Sequence, residues 1–129
     1  MEALKVFGMA DDAIKNAEYD FKGGYFNAVA NGAYYACYYC MVALLFTQKV
    51  YAKTHKGTQL KFSELFIKSS IFPSEMSKAI ETLFESRQAA DYEFGKNISE
   101  SDAQTLIAEV SEIYTLTYSY FQSLLAQNP

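Results

Sequence analysis

The segment Tyr25–Phe46 constrains the fold most strongly, because its 22 consecutive residues carry no charge. A helix of this length could cross a lipid bilayer. Five of the residues are tyrosines, however, and tyrosine concentrates at membrane interfaces rather than in the middle of a span. A helix that is apolar on all sides is otherwise found covered by other helices. We therefore predict a central bundle helix with no membrane contact.

Helix-breaking residues divide the remainder of the chain into pieces of helical length. Gly23-Gly24, Gly57, Pro73 and Gly95 lie at the boundaries, and apolar residues between them recur at spacings of three and four. The sequence therefore predicts one all-α domain, residues 1–129, folded as an antiparallel, up-and-down four-helix bundle with an extra short helix. The helices are expected at about 3–21, 25–46, 62–69 (the short one), 73–94 and from 99 or 101 onward.

Two local features refine these boundaries. Ser101-Asp102-Ala103-Gln104 has the form of a capping box at the start of the last helix, and Ser99 is the alternative start. A polar connection, Gln48–Gln59, precedes the short helix. We expect this connection to be a loop.

The charges of the chain are unevenly distributed. Five lysines and one glutamate lie between residues 49 and 68, a local charge of +4 in a chain with a net charge of −4. Nucleic-acid binding through the overall charge is therefore not expected. The lysine-rich segment is either a local basic patch for binding or a solvated surface loop, and the sequence leaves both interpretations open. The N-terminal residues 1–5 lack the basic and apolar regions of a secretory signal, so we expect a cytoplasmic protein.

The sequence offers little for metal or cofactor chemistry. One histidine and two neighbouring cysteines cannot complete a tetrahedral zinc site, and the chain has no Glu-x-x-His pair and no glycine-rich phosphate loop. Cys37 and Cys40 have the spacing of a redox motif, but they are expected in the middle of a helix, as buried apolar residues. We expect no metal and no cofactor.

Arg87 is the most informative single residue. It is the only arginine in the chain, and it lies in helical register with apolar residues such as Leu83 and Ala90. A guanidinium on an apolar face needs a negatively charged partner, because an unpaired buried charge costs several kcal/mol. Asp91, one turn further on, is the internal candidate. A phosphate group is the external candidate, since the planar fork binds two oxygens at once.

The stretch Arg87-Gln88-Ala89-Ala90-Asp91-Tyr92 resembles the Arg-x-x-Ala-Asp-Tyr signature of a subfamily of HEPN proteins. These small helical proteins are often encoded beside minimal nucleotidyltransferases. The segments Asn31–Ala36 and His55-Lys56-Gly57 resemble the family's Tyr-Tyr-Ala helix and its His-x-Gly loop. The resemblance extends over about residues 19–121.

The resemblance implies a dimer with a nucleotide- or RNA-facing cleft at Arg87. Ribonuclease members of the superfamily place a histidine four to six residues after the arginine, where it transfers protons without a metal. Tyr92 stands in that position here, and a phenol is a poor general base at neutral pH. The candidate nucleotide- or phosphate-binding residues are therefore Arg87, Asp91, Tyr92, His55 and Lys56. Arg87, Tyr92 and His55 are also the catalytic candidates.

Three hypotheses about function follow. The first is a dimeric nucleotide- or RNA-binding module of a toxin–antitoxin-like pair with a nucleotidyltransferase. The second is a metal-independent ribonuclease toxin that uses Arg87 with Tyr92 or His55. The third is a structural helical module that only mediates assembly.

Overall fold

A computed structural model gives residues 1–92 and 97–127; the side chain of Tyr92 lies outside the described part. All regular structure within these ranges is helical, which confirms the all-α prediction. The elements are α1 (Glu2–Lys22), α2 (Phe26–Thr47), α3 (His55–Phe62), a π-helical turn (Ser63–Ile67), α4 (Glu75–Tyr92) and α5 (Glu100–Gln127). The expected end of α4 near Phe94-Gly95 lies outside the described residues.

The long helices run up and down. Asn31 of α2 bonds to Asp91 of α4, and Tyr34, one turn later on α2, contacts the earlier residue Phe84. These two helices are therefore antiparallel. The tight turn at Gly23 and Gly24 likewise reverses the chain between α1 and α2.

Helix α2 is the centre of the bundle and contacts α1, α3, α4 and α5. Eleven of its residues are buried, among them Tyr34, Met41 and Leu44, which have no exposed surface. The helix is long and apolar enough to cross a membrane by length and composition alone. Its burial among four other helices accounts for the absence of charge, because every side of it must be compatible with a core.

The region before α4 differs from the prediction. Residues 55–59 were expected in a loop, but α3 already begins at His55 and continues to Phe62. The expected helix at 62–69 is replaced by the end of α3 and the π-helical turn Ser63–Ile67. The apolar spacing identified the buried residues Phe62 and Phe66 correctly, but it could not identify a helix start made of polar residues.

Helix α5 begins at the earlier of the two predicted serines. The hydroxyl oxygen of Ser99 accepts a hydrogen bond from the backbone N–H of Asp102 at 3.0 Å. Ser101 lies inside the first turn of the helix, so the capping box proposed for it is wrong. Ser99 satisfies one of the N–H groups that a helix start leaves without a partner.

This assignment predicts different effects for two neighbouring serines. Ser99→Ala should lower the free energy of unfolding by about 1 kcal/mol, because it removes the cap of α5. Ser101→Ala should be neutral or slightly stabilising, because alanine is the better residue inside a helix. Urea unfolding of both variants checks this, and a larger loss for Ser101→Ala would show that the cap is misassigned.

Candidate functional site

A cluster of polar and aromatic side chains lies where α2, α3 and α4 meet. Helix α2 supplies four of them, α3 one and α4 two. We call the following seven residues the Arg87 cluster: Asn31, Tyr34, Tyr35, Tyr38, His55, Arg87 and Asp91. The cluster brings together three of the five predicted binding residues.

The carboxylate of Asp91 joins α4 to α2. The Nε–H of Arg87 donates to Oδ2 of Asp91 at 3.0 Å, and the amide of Asn31 donates to the same oxygen at 3.2 Å. The Arg87 and Asp91 side chains are only 17% and 28% exposed. The predicted pairing of Arg87 with Asp91 is therefore confirmed, with the Arg87 side chain partly buried and Asp91 at the surface.

The guanidinium of Arg87 also contacts two tyrosines of α2. Its central carbon lies 5.4 Å from the centre of the Tyr34 ring and 5.5 Å from that of Tyr35. A terminal N–H group reaches the Tyr35 hydroxyl at 3.5 Å, a long contact. Cation–π contacts of this kind hold a guanidinium in a fixed place, and a fixed guanidinium suits recognition of an anion.

The sequence Thr54–Gly57 places His55 at the start of α3. The Thr54 hydroxyl accepts a hydrogen bond from the backbone N–H of Gly57 at 2.9 Å and caps the helix. A Cβ atom on residue 57 would lie 2.9 Å from that same hydroxyl oxygen, so glycine leaves room for the cap. The resulting helix start holds His55 against α2.

His55 lies within the aromatic part of the cluster. Its ring stacks on Tyr38 with the ring centres 4.2 Å apart and the planes 7° apart. Its Nδ1 atom forms a 2.6 Å hydrogen bond with the hydroxyl of Tyr34. Burial lowers the pKa of His55 below 6.5, and the positive charge of Arg87 lowers it further, so the imidazole is neutral at neutral pH.

This lowered pKa predicts a contribution of His55 to the pH dependence of stability. Below about pH 6.5 the unfolded chain takes up a proton at His55 more readily than the folded chain, so stability falls as the pH falls. His55→Gln cannot take up this proton. Urea unfolding at about pH 7.5 and pH 5.5 should therefore show a larger loss for the wild type than for the variant. An equal or larger loss in the variant would contradict the depressed pKa.

The other predicted site residues are less informative. Lys56 follows His55 on α3 and is exposed, as is Lys53 in the preceding connection. Tyr92 is the last residue of α4, and its side chain, a candidate site group, lies outside the described part of the structure.

The thiols of Cys37 and Cys40 are buried, as predicted for core residues. Burial raises the pKa of Cys40 to about 12, so this cysteine keeps its proton.

The residues of α2 in the cluster were missed by sequence reasoning. Asn31, Tyr34, Tyr35 and Tyr38 are separated by three, four and seven positions, so they share one face of the helix. That spacing indicates a polar, aromatic face on α2. The face is difficult to recognise in the sequence because the whole segment is uncharged and most of its other residues are apolar.

An open cavity of about 640 Å³ lies beside the cluster, between α1 and α2. Asn31, Tyr35 and Asp91 belong to both the cavity and the cluster. The remaining lining is rich in carboxylates and amides, including Asp12, Asp20 and Asn16. Carboxylates repel phosphate, so this cavity is an unfavourable environment for a phosphate group.

Comparisons with known proteins identify the family of the chain. The HEPN domain matches residues 3–120, nearly the whole chain, and the chain therefore belongs to the HEPN family. A protein of Methanocaldococcus jannaschii named as a putative toxin is 27% identical over 106 residues, which cover 82% of this chain and 72% of that protein. A protein of Thermotoga maritima named UPF0332 protein is 28% identical over 83 residues, covering 64% of this chain and 63% of the relative.

Proposed function

We propose that this HEPN protein is a toxin-like binding module that holds a phosphate group of RNA or of a nucleotide at Arg87. The observation that carries the proposal is the way Arg87 is held: by Asp91 on its own helix and by the rings of Tyr34 and Tyr35 on α2. The carboxylate and the two rings together fix the position of the guanidinium. The Arg87 side chain also remains partly exposed, which suits binding of an oxyanion.

The family and the name of one relative support a toxin-like role. The chain is a HEPN domain, and one relative is named as a toxin. We therefore propose that the protein is one half of a toxin–antitoxin-like pair, with a minimal nucleotidyltransferase as its protein partner. The first test is whether the neighbouring gene encodes a minimal nucleotidyltransferase, and the second is co-expression of that protein with this chain followed by size-exclusion chromatography. Separate elution of the two proteins would contradict the pairing.

We propose further that the protein is a homodimer. Tyr35, Tyr38 and Tyr39 remain only half-buried on α2, and tyrosine is enriched in protein interfaces. Light scattering should give a mass of twice 14.6 kDa at micromolar concentration. A mass equal to that of one chain would contradict the dimer.

The binding proposal is tested with fluorescein-labelled single-stranded RNA in an anisotropy titration. Arg87→Lys keeps the charge and loses the planar fork, so we expect binding about tenfold weaker than wild type. Lys78→Ala, which removes an exposed cation elsewhere on α4, serves as the matched control and should change binding little. Equal losses in both variants would show non-specific attraction and would contradict a site at Arg87.

The ribonuclease hypothesis remains as a second candidate because of one observation. His55 and Arg87 both contact the rings of Tyr34 and Tyr35, with ring-centre distances from His55 of 5.6 and 5.8 Å. An imidazole and a guanidinium flanking the same two rings are the groups that metal-free RNA cleavage uses. The two candidates differ in the protonation of His55, because a general base needs a ring nitrogen with a free lone pair.

A further inference from the structure

The hydroxyl of Tyr34 is the least accessible polar group of the Arg87 cluster. Tyr34 has no exposed surface, and within residues 1–92 and 97–127 the hydroxyl forms one hydrogen bond, to Nδ1 of His55 at 2.6 Å. Burial raises the pKa of Tyr34 to about 12, so the phenol keeps its proton. A buried O–H group must donate that proton to an acceptor, and Nδ1 is the acceptor within reach.

Two arrangements of the proton are possible in this bond, and they have different costs. If Tyr34 donates to Nδ1, both groups are satisfied and the proton of the neutral imidazole lies on Nε2. If Nδ1 carries the proton and donates to Tyr34, the hydroxyl proton is left buried without an acceptor. A buried unsatisfied donor costs more than a typical hydrogen bond contributes, so the first arrangement is favoured.

The orientation of the ring determines what His55 offers to a ligand. Its Nδ1 edge faces the fully buried Tyr34, so the accessible part of this half-buried ring is the opposite edge, which carries Nε2. Arg87 lies against the same two tyrosine rings as His55. The charge of Arg87 also lowers the pKa of His55, so the two groups interact electrostatically across these rings.

We propose that Tyr34 fixes His55 with its proton on Nε2, and that His55 donates a hydrogen bond to the phosphate group held by Arg87 instead of acting as a general base. Tyr34 is then a positioning residue, which acts through His55. In this state neither ring nitrogen presents an unused lone pair to the 2′-hydroxyl of RNA, so proton abstraction is blocked while phosphate binding is favoured. The ligand in this proposal rests on the proposed function; the position of the proton does not.

The position of the proton is measured on the free wild-type protein. His55 is the only histidine, so ¹⁵N-labelled histidine gives one unambiguous pair of ring-nitrogen signals. At about pH 7.5 we expect a directly bonded proton on Nε2 and none on Nδ1. A directly bonded proton on Nδ1 would overturn the proposal.

Two tyrosine variants show whether the phenol sets this state. Tyr34→Phe removes the hydroxyl and keeps the ring, so the Nδ1 signal should move towards that of a nitrogen without a hydrogen bond. Tyr38→Phe keeps the stacking partner of His55 and leaves the Tyr34 bond intact, so it should not move the signal. Equal shifts in both variants would contradict a specific role of Tyr34.

Two substitutions of His55 distinguish a hydrogen-bond donor from a general base. The amide N–H of glutamine can replace the Nε2–H donor, whereas alanine cannot. Binding of the labelled single-stranded RNA should weaken about tenfold for His55→Ala and remain within about threefold of wild type for His55→Gln. Equal losses in the two variants would overturn the donor role. If RNA binding proves independent of Arg87, the proposed function fails. The position of the proton on His55 is tested independently, because it is measured on the free protein.

Discussion

Leu44→Ala is expected to lower the free energy of unfolding by about 2–5 kcal/mol, among the largest effects of any single substitution in this chain. Leu44 has no exposed surface and belongs to the core cluster at the centre of the bundle. Truncation removes apolar contacts and leaves a cavity that close-packed neighbours fill only partly. Urea unfolding in detergent-free buffer measures the loss.

The matched control is Leu60→Ala on α3. Leu60 is 63% exposed, so its truncation should change stability by no more than about 0.5 kcal/mol. Similar effects of the two substitutions would show that α2 is not the central helix. A wild-type protein that unfolds cooperatively only in detergent would contradict the account of α2 as a helix covered by protein.

The largest functional effect is expected from Tyr92→His. This substitution restores the arginine-to-histidine spacing of ribonuclease HEPN proteins, starting from Arg87. A positioned acid–base group contributes roughly a hundred- to ten-thousandfold in rate, so cleavage of single-stranded RNA should rise by at least about a hundredfold over wild type. The assay is run with EDTA, because the chemistry is expected to need no metal.

Two further variants test whether the new cleavage depends on position 92 and on Arg87. Tyr19→His introduces a histidine at a tyrosine that is 77% exposed, and it should cause no cleavage. Arg87→Ala added to Tyr92→His should abolish the new cleavage, because the phosphate is no longer held. Cleavage by Tyr19→His, or cleavage that persists without Arg87, would indicate a contaminating nuclease or a different site.

The helices were predictable because their apolar spacing depends on the core they face. The uncharged stretch identified α2 as the central helix, and its burial follows from the same physics. The start of α3 was not predictable from apolar spacing, because a threonine cap and a glycine determine it. Thr54 was a recognisable capping residue whose position in a lysine-rich polar segment favoured a loop instead.

The candidate site was predictable only in part. Arg87 could be identified because a charge on an apolar face needs a partner, and Asp91 because helical spacing places it one turn away. The partners of His55 could not be identified in this way. Spacing gives the face of a helix on which Tyr34 and Tyr38 lie, but not which distant residue packs against that face.

The Arg87 cluster is proposed to bind RNA without cleaving it. The most direct measurement incubates labelled single-stranded RNA with wild type and with His55→Ala in EDTA, and follows both binding and chain length. Wild type is expected to bind the RNA and leave it at full length, and His55→Ala is expected to bind it more weakly. Cleavage by wild type that His55→Ala abolishes would contradict binding without cleavage, because His55 would then be the base of a ribonuclease.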